Sequence, residues 1–131
     1  MGAATMMLYN TLGTNDLARA TRFYDPTLAT LGVVRLKQSP GEIGYGQPGS
    51  ADCQLWIANP FDNKPASFGN GAMCALVAAT RAAVDAFHAA GLANGGTDEG
   101  KPGLRYAPTF YSCYLRDPDG NKLSAVCVAA E

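Results

Sequence analysis

The stretch LYNTLGTNDLARATRFYDPTLATLG, residues 8–32, decides the fold. Its apolar beginning predicts a short strand over Met6 to Leu12, which Gly13 ends. A helix follows, because apolar residues then recur near the 3.6-residue helical period, at Leu17, Ala20, Tyr24, Leu28 and Leu31.

Both ends of this helix carry boundary signals. Asn15 or Asp16 can cap its first turn by accepting hydrogen bonds from free backbone amides. Gly32 can close it in a left-handed conformation. Proline removes a helical hydrogen bond, so we expect Pro26 to kink the helix or to divide it into two short ones.

The same pattern returns in AMCALVAATRAAVDAFHAAGLANGG, residues 72–96. Leu12 aligns with Leu76, a shift of 64 residues, and the same shift aligns Phe23 with Phe87 and Gly32 with Gly96. Thr80 can cap the second helix. Two copies indicate a duplicated module, since a solenoid needs at least three repeats. Chance similarity between two amphipathic helices is the alternative.

The composition is that of a weakly charged globular domain. The chain has 131 residues, 47% hydrophobic and 16% charged, with a net charge of -1. We expect no nucleic-acid partner, because no basic stripe is present, and no membrane partner, because no apolar run reaches the ~20 residues of a span. The beginning, MGAATMM, lacks the features of a signal peptide, which predicts a cytoplasmic location.

The thiols and the single histidine show no catalytic pattern. None of the four cysteines forms a CxxC pair, and each lies among apolar residues of an expected strand. Buried free thiols are the simple interpretation, and metal ligation or a catalytic thiol is the alternative. His88 lies on the second helix, so we expect a solvated or interface histidine.

Turn signals divide the chain into two modules of one architecture. Module one spans residues 1–58, the Asn-, Pro- and Gly-rich segment 59–71 is a linker, and module two spans residues 72–131. Each reads as βαβββ, with a loop expected over Lys101 to Pro108 and a hairpin turn at Asp117-Pro118-Asp119-Gly120. We predict an α+β fold in which two mixed four-stranded sheets curve around a shared cavity, with the helices outside.

The period of two along each strand assigns side chains to faces. Leu8 and Leu12 should face the helix on the first strand. The opposite face, toward the cavity, should then carry Tyr9, Trp56, Met73 and Ser124. Asp117 and Asp119 of the hairpin are typical turn residues rather than a catalytic pair. We expect Arg116 to form a local ion pair with Asp117.

Several of these side chains are candidates for a binding pocket. Tyr9 and Trp56 can stack on a planar ligand, or they can simply fill a cavity. Met73 is a flexible apolar filler in either case. The Ser124 hydroxyl can donate a hydrogen bond to a ligand, or it is simply solvated or paired within the protein.

An aromatic, partly cationic group follows near the last loop and strand: Arg105, Tyr106, Phe110, Tyr111 and Tyr114. Of these, Arg105, Tyr111 and Tyr114 are pocket candidates, because such a loop suits a lid over an anionic or aromatic molecule. Plain strand packing is the alternative.

Three segments resemble the vicinal oxygen chelate superfamily, the glyoxalase/bleomycin-resistance/dioxygenase proteins. They are LGTNDLARATRFYDPTLATLG, GNGAMCALVAATRAAVDAFHAAGLANGGTDEG and YLRDPDGNKLSAV, and they occur in the family's order and spacing. The resemblance implies a single domain of paired βαβββ modules, a cupped sheet and a homodimer. It leaves open whether the cup forms within one chain or across a dimer.

The resemblance also implies a divalent metal, held by histidines on the first strand and a glutamate on the last strand of each module. This sequence has Tyr9, Met73, Trp56 and Ser124 at those positions. These side chains do not make a site for a hard divalent ion. We therefore predict no metal and no other cofactor.

The resemblance leaves three possible functions. The first is a metal-independent protein that binds a small organic molecule in the cup. The second is a lyase or dioxygenase-type enzyme whose metal site has diverged or is absent, with catalytic residues that the sequence does not identify. The third is a structural remnant that only dimerises.

Overall fold

Two βαβββ modules follow one another in the computed structural model, which describes residues 6–129. The tandem order that the repeat predicts is confirmed. In chain order the elements are β1 (Asn10–Gly13), α1 (Leu17–Ala29), β2 (Val34–Ser39), β3 (Glu42–Gly46), β4 (Leu55–Ala58), β5 (Cys74–Val77), α2 (Arg81–Ala93), β6 (Thr97–Leu104), β7 (Tyr111–Arg116) and β8 (Lys122–Cys127).

Each module forms one mixed sheet with the same strand order. Sheet A has the order β1-β4-β3-β2, and sheet B has the equivalent order β5-β8-β7-β6. The first strand of each module pairs in parallel with the last, and the other neighbours are antiparallel. The equivalent strands β1 and β5 therefore both lie at an edge of their sheets.

The helix boundaries confirm the predicted caps but not the predicted break. The Asp16 carboxylate accepts from the Arg19 amide at 3.0 Å. Gly32 has a φ of 76°, the left-handed conformation that glycine tolerates best. The expected division into two short helices at Pro26 is wrong, since α1 runs through it as one helix. Buried Phe23, Tyr24 and Leu28 pack the turns on either side of Pro26 into the core, which favours one continuous helix.

Two strand boundaries also differ from the prediction. The first strand begins at Asn10 rather than Met6, because its ladder is limited by its partner β4, which begins at Leu55. Leu8 precedes the strand and is 75% exposed, so its expected contact with the helix is wrong. The strand β6 extends into the segment expected as a loop. It tolerates Pro102 because it is an edge strand with register shifts against β7.

A single hydrophobic core joins the two modules. The helices α1 and α2 pack against each other, and the helix-facing side chains of both sheets close around them. Its fully buried large side chains include Phe23, Leu28, Ile43, Ile57, Phe87, Leu115 and Leu123. The predicted alternation of side chains along β4 is confirmed, since Leu55 and Ile57 are buried, whereas Trp56 is half-buried and Gln54, just before the strand, is exposed.

The β7–β8 hairpin connects module two to the beginning of α1. Asp119 accepts hydrogen bonds from the Thr14 hydroxyl at 2.5 Å, the Asn15 amide at 2.9 Å and the Arg19 guanidinium at 2.7 Å. Asp117 accepts from the Tyr24 hydroxyl of module one. The hairpin turn is thus confirmed, and it also holds the modules together.

The expected pairing of Arg116 with Asp117 is wrong. Arg116 contacts Glu99 at 3.1 Å, whereas Asp117 is buried and accepts from backbone amides of its own turn. Arg116 is the last residue of β7 and Asp117 the first of the turn, so the Asp117 carboxylate is directed to the amides of that turn. Within residues 6–129, neither helix is long and apolar enough to cross a membrane.

Candidate ligand-binding groove

A groove separates the two edge strands β1 and β5. Two cavities lie along it: one of about 570 Å³ and one of about 330 Å³. Asn10 and Cys74 line both, so the cavities adjoin at the middle of the groove. We call the larger one the apolar end and the smaller one the polar end.

The apolar end lies where the chain enters β1 and where β5 ends. Its walls include Tyr9, Leu31, Tyr45 and Val77, together with the exposed segment 6–8. The volume is in the range of small-molecule sites, which are mostly apolar with a few polar groups. The Tyr45 hydroxyl donates to Asp25 of α1 at 2.8 Å, so its ring is the part available to the cavity.

The polar end lies between the end of β1 and the beginning of β5. Asn10, Thr11, Ser67 and Asn121 contribute amide or hydroxyl groups to its lining. Lys122 is the one charged side chain that lines it among the described residues. This end therefore combines hydrogen-bonding groups with a single positive charge.

Two cations flank Tyr114 on the face of sheet B that is turned away from the helices. The Arg105 guanidinium lies 5.0 Å and the Lys122 ammonium 5.5 Å from the centre of the Tyr114 ring. Both distances fit cation–π contacts. Neither cation forms an ion pair with a carboxylate of residues 6–129.

Backbone carbonyls hold Arg105 in place. Its guanidinium donates to the carbonyl oxygen of Ser112 and, at 2.6 Å, to that of Lys101. These partners are neutral, so they position the guanidinium and leave its positive charge in place. Such a fixed charge acts on its surroundings without the entropy cost of ordering a free side chain.

Ser124 lies next to Tyr114 across the β7–β8 ladder. It is fully buried, and its hydroxyl has no hydrogen-bond partner within the described part of the chain. A buried hydroxyl without a partner is uncommon and calls for an explanation. A hydroxyl open to bulk solvent, one of the predicted roles of Ser124, is therefore wrong.

The predicted pocket residues divide among several places. Tyr9 lines the apolar end, and Met73 lines the polar end. Arg105, Tyr114 and Ser124 lie together on sheet B. Trp56 lies on sheet A beside Lys37 and Glu42, against a separate cavity of about 380 Å³.

Tyr111 lies on the other face of sheet B. Its hydroxyl donates to Asp85 of α2 at 2.7 Å, which also raises the pKa of Tyr111. The Arg81 guanidinium lies 5.4 Å from its ring centre. Tyr111 and Tyr114 are three residues apart and so belong to opposite faces, which separates Tyr111 from the other candidates.

His88 is buried, contrary to the prediction of a solvated or interface residue. Its Nε2 atom lies 2.8 Å from Oδ1 of Asp98 on β6. This hydrogen bond and one from the Gly100 amide lower the pKa of Asp98. The pair connects α2 to β6 beneath the sheet, away from the groove.

The four cysteines are free, and three of them are buried, as the simple interpretation predicts. Burial raises the pKa of Cys113 to about 11 and also raises the pKa of Cys74. Both therefore stay protonated at neutral pH, and a thiol is a poor nucleophile.

The side chains at the positions of the family's metal ligands do not fit a divalent ion. Tyr9, Met73, Trp56 and Ser124 offer a phenol, a thioether, an indole and a hydroxyl, which are not the imidazole and carboxylate donors that such ions select. Within the described residues, no group of three or more His, Cys, Asp and Glu side chains is placed to hold a metal ion.

The sequence interpretation did not select Lys122 or Asn10. A signal for Lys122 was present, since it is two residues before Ser124 and therefore shares its face of β8. Asn10 needed the structure, because its position at the junction of the two cavities depends on how the two sheets meet.

A duplicated βαβββ fold with a ligand-sized groove between its edge strands defines the class of protein. The family model of the Glyoxalase/Bleomycin resistance protein/Dioxygenase superfamily matches residues 6–124. The chain belongs to this superfamily. Comparison of the sequence with curated proteins gives no match.

Solved structures share the fold along nearly the whole chain. A glyoxalase/bleomycin resistance protein from Albidiferax ferrireducens is 40% identical, with 93% of this chain and 98% of that chain covered and a TM-score of 0.84. A lactoylglutathione lyase from Agrobacterium tumefaciens is 20% identical, with coverages of 96% and 95% and a TM-score of 0.63. An antibiotic binding protein from Streptomyces is 22% identical, with coverages of 96% and 98% and a TM-score of 0.61. The last two likenesses concern the fold alone.

Proposed function

We propose that this protein binds a small organic molecule in the groove between β1 and β5, without a metal ion. The observation that carries the proposal is the apolar end of the groove, a cavity of about 570 Å³ lined by Tyr9, Leu31 and Val77. Burying the apolar part of a ligand there contributes about 25 cal/mol per Å² of surface removed from water.

The replaced donor set supports a metal-independent role. The four positions that hold metal ligands in the family carry no imidazole or carboxylate group. These residues therefore do not support chemistry in which a metal ion polarises two neighbouring oxygens of a substrate. We expect elemental analysis of the purified protein to find no stoichiometric Zn, Ni, Fe or Mn. About one tightly bound transition metal per chain would contradict this and favour the alternative, a lyase or dioxygenase-type enzyme.

Proteins of this fold include binders of organic molecules. The antibiotic binding protein from Streptomyces is one by its name. This supports the kind of function and not the identity of the ligand. The four free thiols suit the reducing cytoplasm, where we place the protein.

A neutral fluorescent probe tests the binding site. Phenylnaphthylamine should gain emission on binding to the apolar end. Val77→Lys should weaken its binding, because Val77 is 84% exposed and lines that end, so the fold tolerates a charge that the ligand does not. Val34→Lys on β2 is the matched control. Equal effects of both variants, or no binding to the wild type, would refute the proposed site.

We also propose a homodimer. Exposed apolar side chains line the groove, with Tyr9 53% and Met73 47% exposed, together with Val77. Apolar clusters of this kind mark interaction surfaces, and a second copy would cover the faces that the helices leave open. Sedimentation should give a dimer at micromolar concentration, whereas a clean monomer would contradict it.

A further inference from the structure

We propose that the ligand of the groove is an amphipathic organic anion, whose apolar body lies beside Tyr9 and whose anionic group lies beside Lys122. The inference rests on the proposed function and adds the chemical class of the ligand. Two adjoining cavities of opposite character are its basis. A ligand that spans both must be apolar at one end and polar at the other.

The positive charge of the polar end determines the sign of the ligand. Lys122 is the one charged side chain among the described residues that line this cavity. Its ammonium contacts the Tyr114 ring and forms no ion pair with a carboxylate of residues 6–129. A cation on a residue that lines the cavity, without a carboxylate partner, favours an anionic ligand, since a charge-assisted hydrogen bond is stronger than a neutral one.

Arg105 adds to the same potential. Arg105 follows β6 and lies on the opposite side of Tyr114 from Lys122, which is on β8. Backbone carbonyls hold its guanidinium. Two cations around one ring repel each other. An anion in the groove would reduce this repulsion, so the arrangement is complementary to a negative ligand.

Backbone amides of β1 supply further donors. The Asn10 and Thr14 amides donate to the carbonyl oxygens of Gln54 and Ala58, each at 3.0 Å. The amides of a strand alternate in direction, so those of Thr11 and Gly13 point away from β4 and toward the groove. Amides directed into a concave site are donors suited to an anion.

The two ends of the groove set the arrangement of the ligand. The apolar end carries the larger volume, and the ring of Tyr9 with Val77 forms its wall. Asn10 and Cys74 lie where the cavities join, so no strand separates the body of a ligand from its head group. A carboxylate, sulfonate or phosphate on an apolar body shares this chemistry.

Two probes that differ in one anionic group test the inference. Anilinonaphthalene sulfonate and the neutral phenylnaphthylamine have the same aromatic body. We expect the wild type to bind the sulfonate more tightly. Lys122→Met should weaken sulfonate binding about tenfold, the effect of one charge-assisted hydrogen bond, and should leave the neutral probe within about twofold. Lys64→Met, in the linker, removes the same charge elsewhere and should change neither affinity.

Salt and a conservative variant provide independent readouts. With the wild-type protein, added sodium chloride should weaken the binding of the sulfonate but not that of the neutral probe. This measurement does not depend on any variant folding correctly. Lys122→Arg keeps the positive charge and should retain most of the wild-type affinity for the sulfonate. Equal wild-type affinities for the two probes, or equal losses in Lys122→Met, would overturn the anion assignment while binding of the neutral probe would still support the proposed function. No binding of either probe would overturn both.

Discussion

At the scale of single residues, Tyr24 shows how one side chain belongs to both modules. Its ring is buried against Phe23 and Tyr45 of module one. Its hydroxyl donates to Asp117 of module two, and burial together with that carboxylate raises the pKa of Tyr24 well above its usual value. The hydroxyl therefore stays protonated at neutral pH and donates to the Asp117 carboxylate.

Tyr24→Phe should lower the free energy of unfolding by about 1 to 3 kcal/mol, because a buried carboxylate loses one of its donors. Urea unfolding followed by circular dichroism measures the change. Tyr106→Phe removes a hydroxyl from an 89% exposed side chain and should have no measurable effect. A Tyr24→Phe protein as stable as the wild type would show that water replaces the lost donor.

His88 and Asp98 give a prediction for the pH dependence of stability. The pKa of Asp98 is lowered in the folded state, so its contribution is complete above the ordinary carboxyl pKa of about 3.9 and is lost as the pH falls through the folded value. The stability gap between wild type and Asp98→Asn should therefore be fully present near pH 5 and should shrink below pH 4.

Urea midpoints between pH 3 and pH 7 measure that gap. Asp62→Asn in the linker removes the same charge without touching α2 or β6, and it is the control. A gap that stays unchanged from pH 7 down to pH 3 would show that the hydrogen bond between His88 and Asp98 does not stabilise the fold.

At the scale of elements, the beginning of β6 is set by a close approach of backbone. A Cβ atom at Gly96 would lie 2.8 Å from the carbonyl oxygens of Arg116 and Gly91. The strand can therefore follow α2 directly only where no side chain is present. Gly103, in the same strand, has open space where its Cβ would lie.

Gly96→Ala should lower the free energy of unfolding by about 1 to 3 kcal/mol, the usual cost of overpacking a core. Gly103→Ala should be neutral or should raise it by up to about 1 kcal/mol, because alanine restricts the unfolded chain more than glycine does. Thermal or urea unfolding of the pair measures this. The reverse order of the two stabilities would contradict the described geometry.

At the scale of the whole molecule, the two modules share one hydrophobic core and are joined by hydrogen bonds between the β7–β8 hairpin and both α1 and its N-terminal turn. The helices pack against each other, and Asp117 and Asp119 of module two hold Tyr24 and Thr14 of module one. Neither module can expose its half of this core without cost, so the modules should unfold together.

We expect a single unfolding transition. Trp56, the one tryptophan in the sequence, reports on module one, and far-ultraviolet circular dichroism reports on both modules. The two urea curves should coincide. A fluorescence transition that comes clearly before the circular dichroism transition would show that module one unfolds by itself.

The sequence by itself determined the elements and their duplication. The caps at Asp16 and Thr80, the left-handed Gly32 and the turn at Asp117 are local features, and each acts within a few residues of where it is read. The alternation on β4 and β8 is also local. It would have separated Tyr111 from Tyr114 had it been applied to β7.

Only the tertiary structure decided which parts of the chain meet. The groove exists because the edge strands β1 and β5 face each other, and its charge comes from Lys122 on a third strand. The burial of His88 and the one helix through Pro26 depend equally on packing against distant residues. Such contacts join positions far apart in the chain, and no local pattern of hydrophobic residues or turns contains their geometry.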